Sequence, residues 1–267
     1  MSEPVIITSP SNRIIKEVRS LHDKKGRQSL KALLLEGSRL VSDAVESGAR
    51  IRYFVASDSF YKKNRSFFSG WPEKKVICVP ESLFERIGET RTPQGVMAVA
   101  DIPEYDPNSV LKKVRRIIAL ENLQDPGNIG TIIRSADACG FEAVLLSKDC
   151  ADPYNSKTIR STMGSLFHIP VIVAEEFYRV LEELKANNIL LAAAHTRDAL
   201  PCWKADLKGN VAVIIGNEGN GITEKIMEIS DLTVMIPMEG GAESLNASAA
   251  ASILMYECMR QREKEIL

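Results

Sequence analysis

Two apolar runs between residues 211 and 248 constrain this chain more than anything before them. The first, Val211-Ala212-Val213-Ile214-Ile215, opens into Gly216-Asn217-Glu218-Gly219-Asn220-Gly221. The second, Val234-Met235-Ile236-Pro237-Met238, leads into Gly240-Gly241-Ala242-Glu243-Ser244-Leu245-Asn246-Ala247-Ser248. β-Branched runs that end in small and polar residues read as buried strands running into loops. In open α/β sheets, ligands bind in the crevice beyond the carboxyl ends of the strands. The two loops therefore mark the edge where a site is expected.

The rest of the chain supplies two alternations of strand and helix. In the first, Ile14, Val18 and Leu21 repeat at helical spacing behind a Ser11 or Asn12 cap. Strands follow at 32–35, 51–56, 76–79 and 95–100, with helices at 38–48, 60–68 and 81–87. The segment Asp101–Asn108 carries two prolines and no periodicity, and reads as a linker. The expected division is residues 1–105 and 106–267. In the second alternation, strands are expected at 116–120, 143–146, 171–173 and 189–194, with helices at 128–139, 177–186 and 222–229. A last helix is expected at 245–264, and the sheet should be mostly parallel.

Composition excludes several classes. With 45% hydrophobic and 26% charged residues, the 267-residue chain is globular. No apolar run has the roughly 18 residues needed to cross a membrane, and the first residues lack the pattern of a secretion signal. Five scattered cysteines (78, 139, 150, 202 and 258) without a CxxC pair argue against a disulfide framework and a zinc site, and fit the cytoplasm. Three histidines offer little for any metal.

Net charge is only −1, but it is unevenly spread. Residues 1–105 hold 17 Lys+Arg against 13 Asp+Glu, and residues 106–267 hold 17 against 22. Such asymmetry suggests that the front half meets a polyanion. Arg13, Lys16, Arg19, Lys24, Lys25 and Arg27 make the first helix and its following turn a candidate RNA-facing surface. The alternative is a solvated basic helix face.

The motifs carry less chemistry singly than together. Gly216–Gly221 fits neither GxxxxGK[ST] nor the dinucleotide GxGxxG, which disfavours a nucleotide-dependent oxidoreductase. A plain turn also explains it, although Glu218 is open to pairing with an arginine or holding a hydroxyl. The run Ala247-Ser248-Ala249-Ala250-Ala251-Ser252 permits close approach of another backbone or a flat ligand; tight helix packing explains it as well. Ser244 and Asn246 are equally suited to capping. Arg134 alone reads as a surface salt-bridge residue. No Ser-His-Asp, Cys-His or paired-carboxylate arrangement supports hydrolysis.

In order along one domain, three stretches resemble the three motifs of the SpoU (TrmH-type) RNA 2′-O-ribose methyltransferases. They are Asn128-Ile129-Gly130-Thr131-Ile132-Ile133-Arg134-Ser135-Ala136-Asp137-Ala138, then Ile215–Gly221, then Ile236-Pro237-Met238 with Ser244–Ser248. The front domain is similar to the ribosomal-protein-like substrate-binding domain of rRNA-modifying members. The resemblance implies a small N-terminal α/β RNA-binding domain and a C-terminal α/β SPOUT domain with a trefoil knot. Strand pattern alone gives an unknotted, Rossmann-like sheet, because knots are pruned as essentially absent. The resemblance also implies a homodimer whose site is completed across the interface, and S-adenosylmethionine as methyl donor with no metal.

By the same resemblance, Gly216, Ile236 and Leu245 match donor-binding positions, with Thr196 and Met238 beside them. Arg134 matches the arginine that assists removal of the ribose hydroxyl proton. Asn128, Glu218, Ser244 and Asn246 match polar residues that organise the site. The expected activity is 2′-O-methylation of structured RNA, with large-subunit rRNA as substrate. Alternatives are a tRNA 2′-O-methyltransferase and a non-catalytic RNA-binding assembly factor.

Overall fold

A computed structural model describes residues 3–69, 75–90 and 92–263. The chain divides into two compact units. One runs to Glu104 and also takes in Tyr154–Arg160; the other comprises Tyr105–Pro153 and the residues from Ser161 onward.

The first unit contains β1 (Val5–Ile6), α1 (Arg13–Ser20), α2 (Lys24–Leu30), β2 (Ala32–Glu36), α3 (Ser38–Glu46), β3 (Ile51–Ser57), α4 (Asp58–Lys63), β4 (Lys75–Val79), α5 (Glu81–Ile87) and β5 (Val96–Asp101). The strands lie in the order β1-β4-β3-β5-β2. Asn12 caps α1 by accepting from the Ile14 N–H at 2.9 Å. The buried stripe Ile15, Val18 and Leu21 packs with Val55, Ile77, Leu83 and Phe84.

Helix α2 was not legible in the sequence, because its apolar face is one residue deep. It crosses α1 so closely that a Cβ on Gly26 would lie 1.9 Å from the Ser20 carbonyl oxygen. That helix also overturns one expectation. Arg27 does not face RNA: it is 3% exposed, and its Nη1 donates to the carbonyls of Leu21 at 2.7 Å and His22 at 2.8 Å. A buried guanidinium is retained only where carbonyls replace its water, and here it ties down the end of α1. Arg13, Lys24 and Lys25 are exposed.

The second unit contains α6 (Pro107–Leu111), β6 (Arg116–Leu120), α7 (Pro126–Ala138), β7 (Ala143–Ser147), the end of α8 (Ser156–Thr162), β8 (Val171–Ala174), α9 (Phe177–Ala186), β9 (Leu190–Ala194), β10 (Leu200–Pro201), β11 (Val211–Ile215), α10 (Glu224–Ile229), β12 (Leu232–Met235) and α11 (Ala247–Glu263). Its sheet runs β10-β12-β9-β11-β6-β7-β8, and every pairing is parallel. Strand β11 is central, with all five residues buried. Each fully buried Val or Ile contributes about 1.5–3 kcal/mol.

Several element limits differ from expectation, three of them for local reasons. The 60–68 helix is two pieces, α4 and a 3-10 turn at Arg65–Phe68. Helix α10 starts at Glu224 because the Thr223 side chain caps it. The second apolar run leaves the sheet at Met235, so Ile236–Met238 is loop. Lys264, the expected last residue of the final helix, lies outside the described residues.

Candidate active site

Strands β12, β9, β11 and β6 are neighbours, and being parallel they end along one sheet edge. The residues that follow them, Ile236, Thr196, Gly216 and Glu121, therefore converge from distant parts of the sequence. A cleft of about 550 Å³ opens at this edge, lined among others by Thr196, Gly216, Ile236, Met238 and Leu245. Glu218, Ser244 and Asn246 line it too. Asn128 sits behind this wall, and Arg134 does not line the cleft.

The loop after β11 folds back on itself. Asn217 and Gly221 exchange two backbone hydrogen bonds, each 2.9 Å. Gly216 is obligatory here, because a Cβ would come within 2.1 Å of the Gly221 backbone. Asn217 holds the loop from inside: its Oδ1 accepts from the N–H groups of Gly219 (2.9 Å) and Asn220 (3.2 Å), and its Nδ2 donates to the Asn122 carbonyl at 2.8 Å. Sequence reasoning missed Asn217, although an asparagine opening a glycine-rich turn is the signal of an Asx-turn.

This loop aims Glu218 at the start of α7. Its carboxylate accepts from the N–H groups of Gln124 (3.2 Å) and Asp125 (3.1 Å), and from Asn128 Nδ2 at 3.1 Å. Desolvation pushes the Glu218 carboxyl up, but these donors and the residue's own N–H outweigh it and hold its pKa below the usual 4.5. Glu218 is therefore an anion that fixes structure, with no proton to donate at neutral pH.

Asn128, 9% exposed, extends the connection. Its Oδ1 accepts from Asn246 Nδ2 at 3.0 Å. Asn246 does cap α11: its Oδ1 accepts from the N–H groups of Ser248 (2.9 Å) and Ala249 (3.3 Å). Capping and site geometry are one arrangement, because the amide group that caps also reaches Asn128. A continuous relay, Asn246 to Asn128 to Glu218, joins the three motif stretches. Ser244 is exposed and has no hydrogen bond among the described residues.

Arg134 is separate. It follows Asn128 by six residues on α7, and at 100° per residue the two side chains leave the helix about 120° apart. It is exposed, and it makes no hydrogen bond or ion pair among the described residues. The same side of the fold carries α11, whose small residues pack against α7 with Ser135 Oγ and Ser252 Oγ 2.8 Å apart. Ile253 and Tyr256 of α11 stay 42% and 56% exposed.

A second carboxylate was also missed. Glu121, 1% exposed, accepts from Tyr178 Oη (2.9 Å) and from Thr223 N (2.8 Å) and Oγ1 (2.7 Å), which fixes β6 to α9 and α10. Among the described residues, no group of three or more His, Cys, Asp or Glu is arranged to hold a metal. No helix of the described residues is long and apolar enough to cross a membrane.

Both parts of the chain match known families. Residues 115–256 match the SpoU rRNA Methylase family, and residues 12–98 match the MRM3-like substrate binding domain. The chain is 36% identical over 252 residues to the 23S rRNA (guanosine(2553)-2′-O)-methyltransferase RlmP of Bacillus subtilis, covering 94% of this chain and 97% of that protein. Among solved structures, it is similar to an AdoMet-bound rRNA methyltransferase from Sinorhizobium meliloti, with a TM-score of 0.84, 30% identity and coverage of 96% and 97%. It is also similar to the SpoU methyltransferase AviRb from Streptomyces viridochromogenes in complex with AdoMet, with a TM-score of 0.84, 29% identity and coverage of 95% and 100%.

Proposed function

The chain belongs to the SpoU rRNA methylase family, and from that premise we propose that it methylates a ribose 2′-hydroxyl in large-subunit rRNA, using S-adenosylmethionine. The observation that carries this reading is the Asn246–Asn128–Glu218 relay on the wall of the cleft. It holds three separate stretches in one geometry that a surface turn or a simple cap would not need.

The residues present fit the donor. The cleft is within the size range of small-molecule sites, and Ile236, Met238 and Leu245 give it apolar walls. Bound there, the donor supplies an electrophilic methyl group on a sulfonium. In this reading Gly216, Ile236 and Leu245 hold it largely through backbone groups, with Thr196 and Met238 flanking. Asn128, Glu218, Ser244 and Asn246 shape the wall that the ribose meets. No metal takes part.

A ribose hydroxyl is a poor nucleophile, so alignment and removal of its proton dominate the barrier. We assign Arg134 to electrostatic stabilisation of the forming alkoxide and to a nearby phosphate, because a guanidinium is a poor base. Its direction away from Asn128 is accounted for if a second copy docks on the α7–α11 face. The homodimer then brings one protomer's Arg134 to its partner's cleft, and buries Ile253 and Tyr256. The trefoil knot belongs to the same proposal, with residues 236–246 threaded before α11 packs on α7. Residues 1–105 bind RNA, with Arg13, Lys24 and Lys25 contributing to phosphate contacts, and residues 106–267 are catalytic. The work is cytoplasmic, where the rRNA and five free thiols are both at home.

The test is transfer of labelled methyl from S-adenosylmethionine to 23S-type rRNA and tRNA transcripts. One rRNA ribose should be labelled, and its 3′ linkage should become resistant to alkali. Labelling of tRNA alone would overturn the substrate; labelling of a base would overturn the chemistry.

A further inference from the structure

The first unit carries helices on both faces of its sheet, and the strand pleat separates what each face meets. In β3, Val55 joins the core formed with α1 and α5. Its neighbour Phe54 points the other way and meets Phe68, with ring centroids 5.6 Å apart. Helix α4 and the Arg65–Phe68 turn thus cover the face opposite α1, and opposite Arg13, Lys24 and Lys25.

On this far face, Phe60, Phe67 and Phe68 pack edge to face, and Tyr61 lies against Phe68 at 5.6 Å. Covering the sheet explains the buried Phe68. It does not explain the outer side of the cluster. Helix α4 and the turn after it hold Lys62, Lys63 and Arg65 against one acidic residue, Asp58 at the helix start, and Glu81 of α5 accepts from the Ser59 N–H at 2.9 Å and feels the charge of Lys63. All three cations are exposed, and none forms an ion pair among the described residues. The Arg65 guanidinium sits 5.7 Å from the centroid of the half-buried Tyr61 ring, within reach of a cation–π interaction. Flat rings partly in water, flanked by three exposed cations that outnumber Asp58 and Glu81 beside them, are the elements of a platform for single-stranded nucleic acid.

We infer that the α4 face is a second RNA-binding surface, where an unpaired base stacks on the Tyr61–Arg65 pair and Lys62 and Lys63 take the flanking phosphates. The inference rests on the reading of this chain as an RNA methyltransferase. It specifies unpaired RNA, because a duplex hides the base faces that a ring can stack on. RNA is then held on both faces of the first unit.

The experiment measures binding of the full chain to a 12-nucleotide oligouridine and to a 12-base-pair RNA duplex at matched salt. Donor binding by calorimetry and methylation of a 23S-type transcript run beside it. Wild type should prefer the single strand. Tyr61→Leu should weaken oligouridine binding about tenfold and abolish the preference, the scale of losing one stacked base, while Tyr61→Phe retains both. Lys62→Glu with Lys63→Glu should make the slope of log affinity against log salt shallower by about 0.7 for each phosphate no longer neutralised. Donor affinity should be unchanged throughout. Oligouridine binding equal to wild type in Tyr61→Leu and in the lysine pair would overturn the inference. So would a wild-type protein that binds the duplex as tightly as the single strand. A wild-type protein that neither binds nor methylates the rRNA transcript would instead sink the underlying functional reading.

Discussion

Asn128 is the most informative position to perturb, because its two amide ends join loops that are far apart in sequence. Asn128→Ala removes one neutral hydrogen bond, from Asn246, and one donated to the Glu218 carboxylate. Such bonds contribute about 1 kcal/mol and about 1.5–3 kcal/mol respectively. Glu218 and Asn246 are exposed and regain water when the partner is gone, so the expected cost is about 1–3 kcal/mol. Asn128→Asp keeps an acceptor for Asn246 but sets a second carboxylate beside Glu218. Two charges about 4 Å apart repel by about 1 kcal/mol in water and about 4 kcal/mol near a protein surface. The α7 N-terminus returns about 0.3–1 kcal/mol of that. The aspartate should therefore be about 1 kcal/mol worse than the alanine. The assay is thermal unfolding together with donor calorimetry, at about 2–4 °C per kcal/mol for a domain of this size. The order should be wild type, then alanine, then aspartate in both measurements. Alanine and aspartate variants that match wild type in both would refute the relay.

Other predictions rest on separate residues. Gly216→Ala should cut donor affinity at least tenfold in calorimetry, because the new methyl group meets the backbone of the same loop rather than a side chain that can swing away. Arg134→Lys should lower kcat by at least tenfold with donor affinity unchanged; nearly full turnover would remove any special role for the guanidinium. Arg27→Met should destabilise the first unit by about 2–4 kcal/mol in urea unfolding, because the Leu21 and His22 carbonyls lose their donor. The Glu218 pKa is depressed on folding, so its contribution is present above the unfolded carboxyl pKa and is lost as pH falls through the lower folded value. In thermal unfolding, the stability difference between wild type and Glu218→Gln should be flat from about pH 7 to 5 and shrink only below about 4.5.

Strands are far more legible in this sequence than the wiring of the site. The runs at 211–215 and 117–120 are buried on both faces, so their hydrophobicity is continuous and their ends are sharp. Helix α2 and the short strands β1 and β10 offer too few residues to show a period. Arg27 looked like its neighbours Lys24 and Lys25 because charge says nothing about direction; one turn of helix separates a solvated lysine from a buried arginine. Glu121 had no signal at all, since its partners Tyr178 and Thr223 lie on other elements. The resemblance named Asn128, Glu218 and Asn246 as a set, but that they touch is a property of four parallel strands ending together. That proximity exists only in three dimensions.

The most direct test of the central claim is a map of ribose 2′-O-methylation across total RNA from cells with and without this gene. The account predicts loss of a single 2′-O-methyl group in large-subunit rRNA, restored by the wild-type gene and not by Arg134→Ala. An unchanged rRNA map, with purified protein that binds no S-adenosylmethionine, would contradict it.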